Sequence, residues 1–366
     1  MQAEINKHMK RALRLARKAA GQTFPNPLVG AVLVNKGRIV GEGFHKKAGG
    51  PHAEILALKQ AKEKAHGAAL FCTFEPCAHT GRTGPCVNEV IKSGINNVYI
   101  GTKDPNPLTC GRGIAALRKA GVRVHVGFLE KEIKSLNEPF FKAFEKKRPF
   151  VTIKIAESLD GKIATSGGES QWITSKLSRI AAHRARKFYD CIMAGSGTVL
   201  ADDPKLEPLK DHRLMKVLLD SQMRIPLSAR CFKTQQPVIV AAVKRNKKKE
   251  KALKKAGVCV FYTKPKKGRV DLKELLEYLG RLEIRNVLVE GGATLIGSFL
   301  DERLADKAVI FIAPKIIGGR QSKSSVAGAG VAHLRESIFL KNMTFKKIAD
   351  DILIEGYLKY PKHASR

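Results

Sequence analysis

His52-Ala53-Glu54, Glu75-Pro76-Cys77 and Cys86 bring together one imidazole, two thiols and a carboxylate that need not bind a metal. One His and two Cys are zinc ligands, and with three of them a tetrahedral zinc keeps its fourth position for water. Zinc lowers the pKa of water it binds to roughly 7, so hydroxide is available at neutral pH. Glu54, two residues after the His, can take that proton and pass it to a leaving ammonia. A structural zinc clip would want a fourth protein ligand. A capping histidine beside two buried thiols would leave the acid without a purpose. The chemistry this set supports is hydrolytic removal of an amino group.

H-x-E followed by P-C-x-x-C is the signature of zinc deaminases acting on nucleobases. Here eight residues, Ala78-His79-Thr80-Gly81-Arg82-Thr83-Gly84-Pro85, separate the second and third ligands. The insertion is polar and cationic and lies beside the metal, which suits a substrate bearing hydroxyls or a phosphate.

These residues need a scaffold, and 366 residues allow two domains. A 43% hydrophobic, 27% charged chain excludes disorder and fits an ordinary globular protein. The seven cysteines are odd in number and two are assigned to metal, so reduced thiols in the cytoplasm are expected rather than a disulfide framework. No apolar run approaches the roughly 18 residues of a membrane helix. The basic, amphipathic segment Met1–Ala20 lacks the apolar centre of a secretory leader and reads as a first helix closed by Gly21.

A net charge of +34 raises nucleic acid as a partner. The excess is spread out, however, with 26 basic and 11 acidic residues up to Arg148 and 41 and 22 beyond it. Its densest run, Lys244 to Lys255, has no interleaved aromatics on which bases could stack. That run reads as a solvated loop or helix face, and no nucleic-acid partner is expected.

Hydrophobic patterning predicts a helix over 4–20 and a hairpin of Val29–Val34 and Arg38–Phe44 turned at Asn35-Lys36-Gly37. A helix from Pro51-His52 to about Lys64, strand Ala69–Phe74 and a helix from Cys86 follow. Strand Val98–Gly101, helix Gly111–Ala120 and strand Val122–Val126 complete a sheet covered by helices. Both metal-bearing segments then start helices, where the positive dipole end favours thiolate. Residues 138–149 read as a linker between domains at 1–145 and 149–366. The second domain also reads as α/β, with strands at 151–156, 191–194, 216–220, 237–243, 258–262, 286–290 and 308–312. Strand Asn286–Glu290 ends in Gly291-Gly292 and a helix begins at once. Such a turn either admits a phosphate to backbone N–H groups or is a tight structural turn. No G-x-G-x-x-G follows a first strand.

Both halves resemble the bifunctional deaminase–reductase family of riboflavin biosynthesis. In the first half the similar pieces are Pro25-Asn-Pro-Leu-Val-Gly30, Gly41-Glu-Gly-Phe-His45, Pro51-His-Ala-Glu54, Glu75–Cys86 and Asp104-Pro-Asn-Pro107. In the second they are Ser158–Lys162, Ser170-Gln-Trp-Ile-Thr174, Gly197–Pro204, Val289-Glu-Gly-Gly292 and Ala313–Gly319. The resemblance implies a cytidine-deaminase-like α/β/α domain followed by a dihydrofolate-reductase-like α/β domain. It implies zinc-dependent deamination of 2,5-diamino-6-ribosylamino-4(3H)-pyrimidinone 5′-phosphate, then NADPH-dependent reduction of the ribosyl group to ribityl, in a homo-oligomer.

By the same resemblance, substrate in the first domain meets Asn26, His45, His79, Arg82, Thr83, Asp104 and Asn106, with Arg82 as phosphate partner. In the second domain NADPH lies against Ala156, Trp172, Thr198, Asp202, Ser221, Gly292, Ala293, Thr294, Leu295, Ile296, Gly297 and Ser298. Substrate there meets Ser170, Arg186, Leu206 and Glu290, and either Asp202 or Glu290 promotes opening of the ribose ring. One departure stands out. After Asp-Asp-Pro-x-Leu the family continues Thr-x-Arg, whereas this chain has Glu207-Pro208-Leu209, with Lys210 or Arg213 as the available substitutes. Two other readings compete: an RNA base editor, which has no use for the second half, and an inert zinc-stabilised module, which has no use for Glu54.

Overall fold

The computed structural model describes residues 2–78, 84–107, 109–208 and 213–361. It divides into two compact units that meet at Lys147 and Arg148. His79, Arg82, Thr83, Leu209 and Lys210 lie outside the described residues.

The first unit runs α1 (Gln2–Arg17), β1 (Gly30–Asn35), β2 (Arg38–Phe44), α2 (Ala53–Ala61), β3 (Ala69–Phe74), α3 (Cys86–Lys92), β4 (Asn97–Thr102), α4 (Arg112–Lys119), β5 (Arg123–Val126), α5 (Glu130–Leu136) and α6 (Glu138–Lys146). The strands form one sheet in the order β2-β1-β3-β4-β5. β1 is antiparallel to β2 and β3, whereas β3, β4 and β5 are parallel. Strand alternation sorts the side chains onto two faces. Ala31, Leu33, Leu70 and Cys72 pack under α2, α3 and α4. Val32 and Phe71 pack with Met9, Leu13 and Ile133 of α1 and α5. The result is an α/β/α layer.

The segment expected to be a linker is helical through Lys146. Pro139 sits in its first turn, where a missing N–H costs nothing. Phe140 and Phe141 close on Phe74 at 5.9 and 5.6 Å between ring centroids. Charge in Glu145-Lys-Lys-Arg148 hid an amphipathic helix whose apolar side joins the core. α1 also ends earlier than expected, at Arg17, with turns leading to a left-handed Gly21.

The second unit runs β6 (Phe150–Ser158), β7 (Lys162–Ala164), α7 (Lys176–Ala185), β8 (Cys191–Gly195), α8 (Ser196–Asp202), β9 (Met215–Leu219), β10 (Val238–Ala242), α9 (Lys247–Lys255) and β11 (Cys259–Tyr262). It continues with β12 (Pro265–Lys266), β13 (Arg269–Val270), α10 (Leu272–Arg281), β14 (Asn286–Glu290), α11 (Ala293–Asp301), β15 (Lys307–Ala313), β16 (Lys323–Ser324), β17 (Phe339–Ile348) and β18 (Asp351–Lys359). Nine strands make the main sheet, ordered β11-β10-β9-β8-β14-β6-β15-β18-β17. The strands from β11 to β15 are parallel, and β18 and β17 close one edge antiparallel. Central strands are buried on both faces, so β8 and β14 read as apolar runs.

Candidate functional site

Two glycines set the height of the first site. A Cβ on Gly41 would lie 2.2 Å from the Ala57 carbonyl oxygen, and one on Gly43 2.2 Å from that of Ala53. α2 therefore rests directly on the β2 backbone, and its first turn delivers His52 and Glu54 to the end of β3. Cys77 follows β3, and Cys86 opens α3. His52 Nδ1 lies 3.1 Å from Cys86 Sγ and 3.5 Å from Cys77 Sγ. All three ligand atoms fall within 4.8 Å of one another.

The protonation pattern of these groups fits a dication. Cys86 Sγ, the His52 ring and the Cys86 N–H, which donates to Cys77 Sγ at 3.3 Å, hold the Cys77 thiol down to about 4 against the cost of burial. Cys86 is pushed up by Cys77 and by burial, so the two sulfurs share one proton. Zinc held by His52, Cys77 and Cys86 would take both sulfurs as thiolates. Glu54 is 3% exposed. Its Oε1 accepts from the Cys72 thiol at 3.6 Å, while Oε2 has no partner among the described residues. Burial raises the pKa of Glu54, which suits a group that takes up and returns a proton.

Asn26 and His45 stand beside this cluster. His45 Nδ1 lies 3.2 Å from the Pro51 carbonyl and Nε2 3.0 Å from Asn26 Nδ2. The carbonyl fixes the proton on Nδ1, Nε2 then accepts from the amide, and the Asn26 Oδ1 is the atom left to a ligand. Burial lowers the His45 pKa, and its ring meets that of His52 edge-on at 5.3 Å. Asp104 Oδ1 accepts from the Asn106 N–H at 2.8 Å and shapes the turn that carries both.

In the second unit the glycine turn is tied down from α8. The Gly292 N–H donates to Thr198 Oγ1 at 3.1 Å, and Ala293 begins α11. Ser170 Oγ donates to Asp202 Oδ1 at 3.1 Å. Gly292, Ala293, Thr294, Leu295 and Ser298 keep some accessible surface. Ile296 and Gly297 do not fit as contacts. Both are buried, and a Cβ on Gly297 would lie 1.6 Å from the Ala327 carbonyl, so these residues seat α11 on its neighbour. Leu206 is also turned inward, 3% exposed with φ 55°, and its side chain packs in the core of the second unit. Trp172 is exposed and stacks under the Arg179 guanidinium at 4.2 Å. Ala156 packs near Phe311 and Ala182, and Ser221 Oγ accepts from the Val270 N–H.

Arg186 binds Glu290 through two hydrogen bonds of 2.9 Å and donates to the Glu207 carbonyl at 2.7 Å. Burial alone would raise the Glu290 carboxyl, but Arg186 and Lys154 hold it at about 2. Arg213, the described candidate for the missing cation, is exposed. Lys216 is instead the cation next to the departure. It is fully buried, donating to the Lys205 and Cys231 carbonyls at 2.6 and 3.3 Å and to Glu207 Oε1 at 3.3 Å. Sequence reasoning missed both Lys154 and Lys216. The signal was present in each case, since a lysine interrupts an apolar strand that parallel packing should bury.

Residues 149–354 match the family model described as RibD C-terminal domain, and residues 2–102 match the cytidine and deoxycytidylate deaminase zinc-binding region. The chain belongs to the RibD family. The riboflavin biosynthesis protein RibD of Aquifex aeolicus is 45% identical over 96% of this chain and 98% of its own length. A solved RibD structure from Acinetobacter baumannii superposes with a TM-score of 0.89 at 33% identity, covering 98% of this chain and all of that one. A Thermotoga maritima structure titled as a diaminohydroxyphosphoribosylaminopyrimidine deaminase/5-amino-6-(5-phosphoribosylamino)uracil reductase gives 0.85 at 37% identity, covering 98% and 99%. RibD membership makes the chain a bifunctional deaminase and reductase of riboflavin biosynthesis, using zinc in the first unit and NADPH in the second. The RNA-editor and inert-module readings fall with that assignment.

Proposed function

We propose that this chain deaminates 2,5-diamino-6-ribosylamino-4(3H)-pyrimidinone 5′-phosphate in its first unit and reduces the deaminated ribotide in its second. The Thermotoga relative carries that pair of activities in its title. The observation that carries the reading is the buried Glu54 carboxyl, its Oε2 unpartnered among the described residues, beside three converging ligand atoms. Zinc held by His52, Cys77 and Cys86 supplies Lewis acidity that activates water for attack. Glu54 Oε2 receives a proton from the attacking water and returns it to the departing amine, while Asn26, with its amide oriented by His45, binds the ring.

In the second unit bound NADPH supplies the hydride. The Gly291-Gly292 turn and the start of α11 receive phosphate, and Thr198 holds the turn in place. Glu290, kept ionised by Arg186 and Lys154, has no proton to lend. Asp202, to which the Ser170 hydroxyl donates, is the carboxyl we assign to the opening of the ribose ring. No helix among the described residues is long and apolar enough to cross a membrane. A cytoplasmic homo-oligomer, with no nucleic-acid partner, completes the proposal. Self-association is supported by β17, an edge strand exposing Phe339, Met343 and Phe345. Incubating the protein with the diaminopyrimidinone ribotide and resolving products by mass tests the reading. The deaminated ribosyl compound should accumulate without NADPH and the ribityl compound appear with it. Reduction of the substrate before deamination would refute the order.

A further inference from the structure

We propose that Glu75 is a positioning residue for deamination, locking the metal-ligand segment and the Asp104–Asn106 turn into one rigid piece. The inference rests on the functional reading above and adds a residue to it. Glu75 lies between β3 and Cys77 and is 4% exposed. Its carboxylate accepts three backbone hydrogen bonds from the start of α4: Oε2 from the Gly111 N–H at 2.9 Å, and Oε1 from Gly113 and Ile114 at 2.9 and 3.2 Å. The first N–H groups of a helix have no intrahelical acceptor. α4 cannot cap itself, because the preceding residue is Gly111, left-handed at φ 76° and without a side chain. The cap comes from the metal-ligand segment.

Contact on the other side is as close. A Cβ on Gly113 would lie 2.0 Å from the Pro76 carbonyl oxygen, so α4 sits directly on the peptide that precedes Cys77. The Cys77 carbonyl accepts from the Val87 N–H at 3.2 Å, which ties the same residue to α3. Upstream of α4 the Asn106 carbonyl accepts from the Thr109 and Cys110 N–H groups at 2.9 and 2.8 Å. Gly111 then binds Glu75. Hydrogen bonds and short stretches of backbone therefore connect the Asp104–Asn106 turn, through Cys110, Gly111 and Glu75, to Cys77 two residues on. A helix cap alone would affect stability; this arrangement also sets where a sulfur and two polar side chains stand.

Glu75→Gln keeps the shape of the side chain but presents an NH2 group where an N–H must be accepted. Two readouts are needed, zinc retention against a competing chelator and KM for deamination with zinc in excess. Glu75→Gln should lose zinc at least about tenfold more readily, as is usual when a group that orients a ligand is removed. Its KM should rise while kcat, measured with zinc and substrate saturating, stays near wild type. Glu75→Asp, which keeps the charge and both acceptors, should recover part of each loss. Should Glu75→Gln not fold, the Asp variant is read alone, and a wild-type result on both measures overturns the proposal. The proposal is likewise overturned if Glu75→Gln melts at lower temperature yet keeps wild-type zinc retention and KM. Glu54→Gln serves as the control, retaining zinc while losing turnover. Wild-type protein that binds zinc without deaminating the ribotide would sink the functional reading and leave the chelator result for Glu75 standing.

Discussion

Glu54 and Glu290 are held by different partners. Glu290, largely withdrawn from water, is bound to Arg186, whereas Glu54 has one weak thiol donor and an unpartnered oxygen among the described residues. Replacing Glu54 by Gln keeps the volume and removes only the exchangeable proton. Deamination should therefore fall by at least roughly a hundredfold with zinc content unchanged by metal analysis; equal activity in the variant would dismiss Glu54 as the proton carrier. The Arg186–Glu290 pair makes a different prediction. Its carboxyl is depressed to about 2, so the pair stabilises the fold above the unfolded carboxyl pKa, about 4.3, and that contribution is lost as pH falls through the folded value. Arg186→Met leaves a buried carboxylate whose pKa rises, costing about 3–5 kcal/mol at pH 7. Acid neutralises it, so the stability gap to wild type in urea unfolding should narrow from pH 7 to pH 4. A gap independent of pH would mean that the pair does not carry this energy.

At the scale of elements, the site depends on how closely α2 approaches β2. Gly43→Ala must drive a methyl into the Ala53 carbonyl. Overpacking of this kind costs typically 1–3 kcal/mol, and the helix start that moves is the one bearing His52 and Glu54. Chemical denaturation should show the stability loss, and zinc retention should fall with it; unchanged zinc retention would mean that α2 yields elsewhere. Much of this was legible in the residues. The ligand order and the Cys86 helix start follow from local chemistry, whereas Gly41-Glu-Gly43 entered only through the family resemblance and its contact with α2 was not read. What escaped were relations at long range. Glu75 caps a helix that begins 37 positions later, and no local pattern announces it. Lys216 was visible as a charge within a strand, but its acceptors come from two distant segments, Lys205 with Glu207 and Cys231. β17 was missed because an exposed edge strand lacks the alternation that burial imposes.

At the scale of the whole molecule, the charge of +34 is shared between both halves. The exposed apolar side chains of β17 are costly in an isolated chain. If β17 carries the proposed self-association, Phe345→Glu should lower the sedimentation coefficient of the protein, and an unchanged profile would count against that role for β17. Each unit has its own hydrophobic clusters and its own set of reacting groups, so the activities should be removable one at a time. Glu54→Gln protein should still reduce supplied deaminated ribotide. Asp202→Asn protein should still release ammonia and accumulate the ribosyl compound. Mixed together with the diaminopyrimidinone ribotide and NADPH, the two variants should make the ribityl product, because one supplies by diffusion what the other consumes. The mixture should show a lag that shortens as the Glu54→Gln share rises. If each variant keeps its remaining activity and the mixture still yields no ribityl product, the deaminated ribotide is not released, and the two sites work as one.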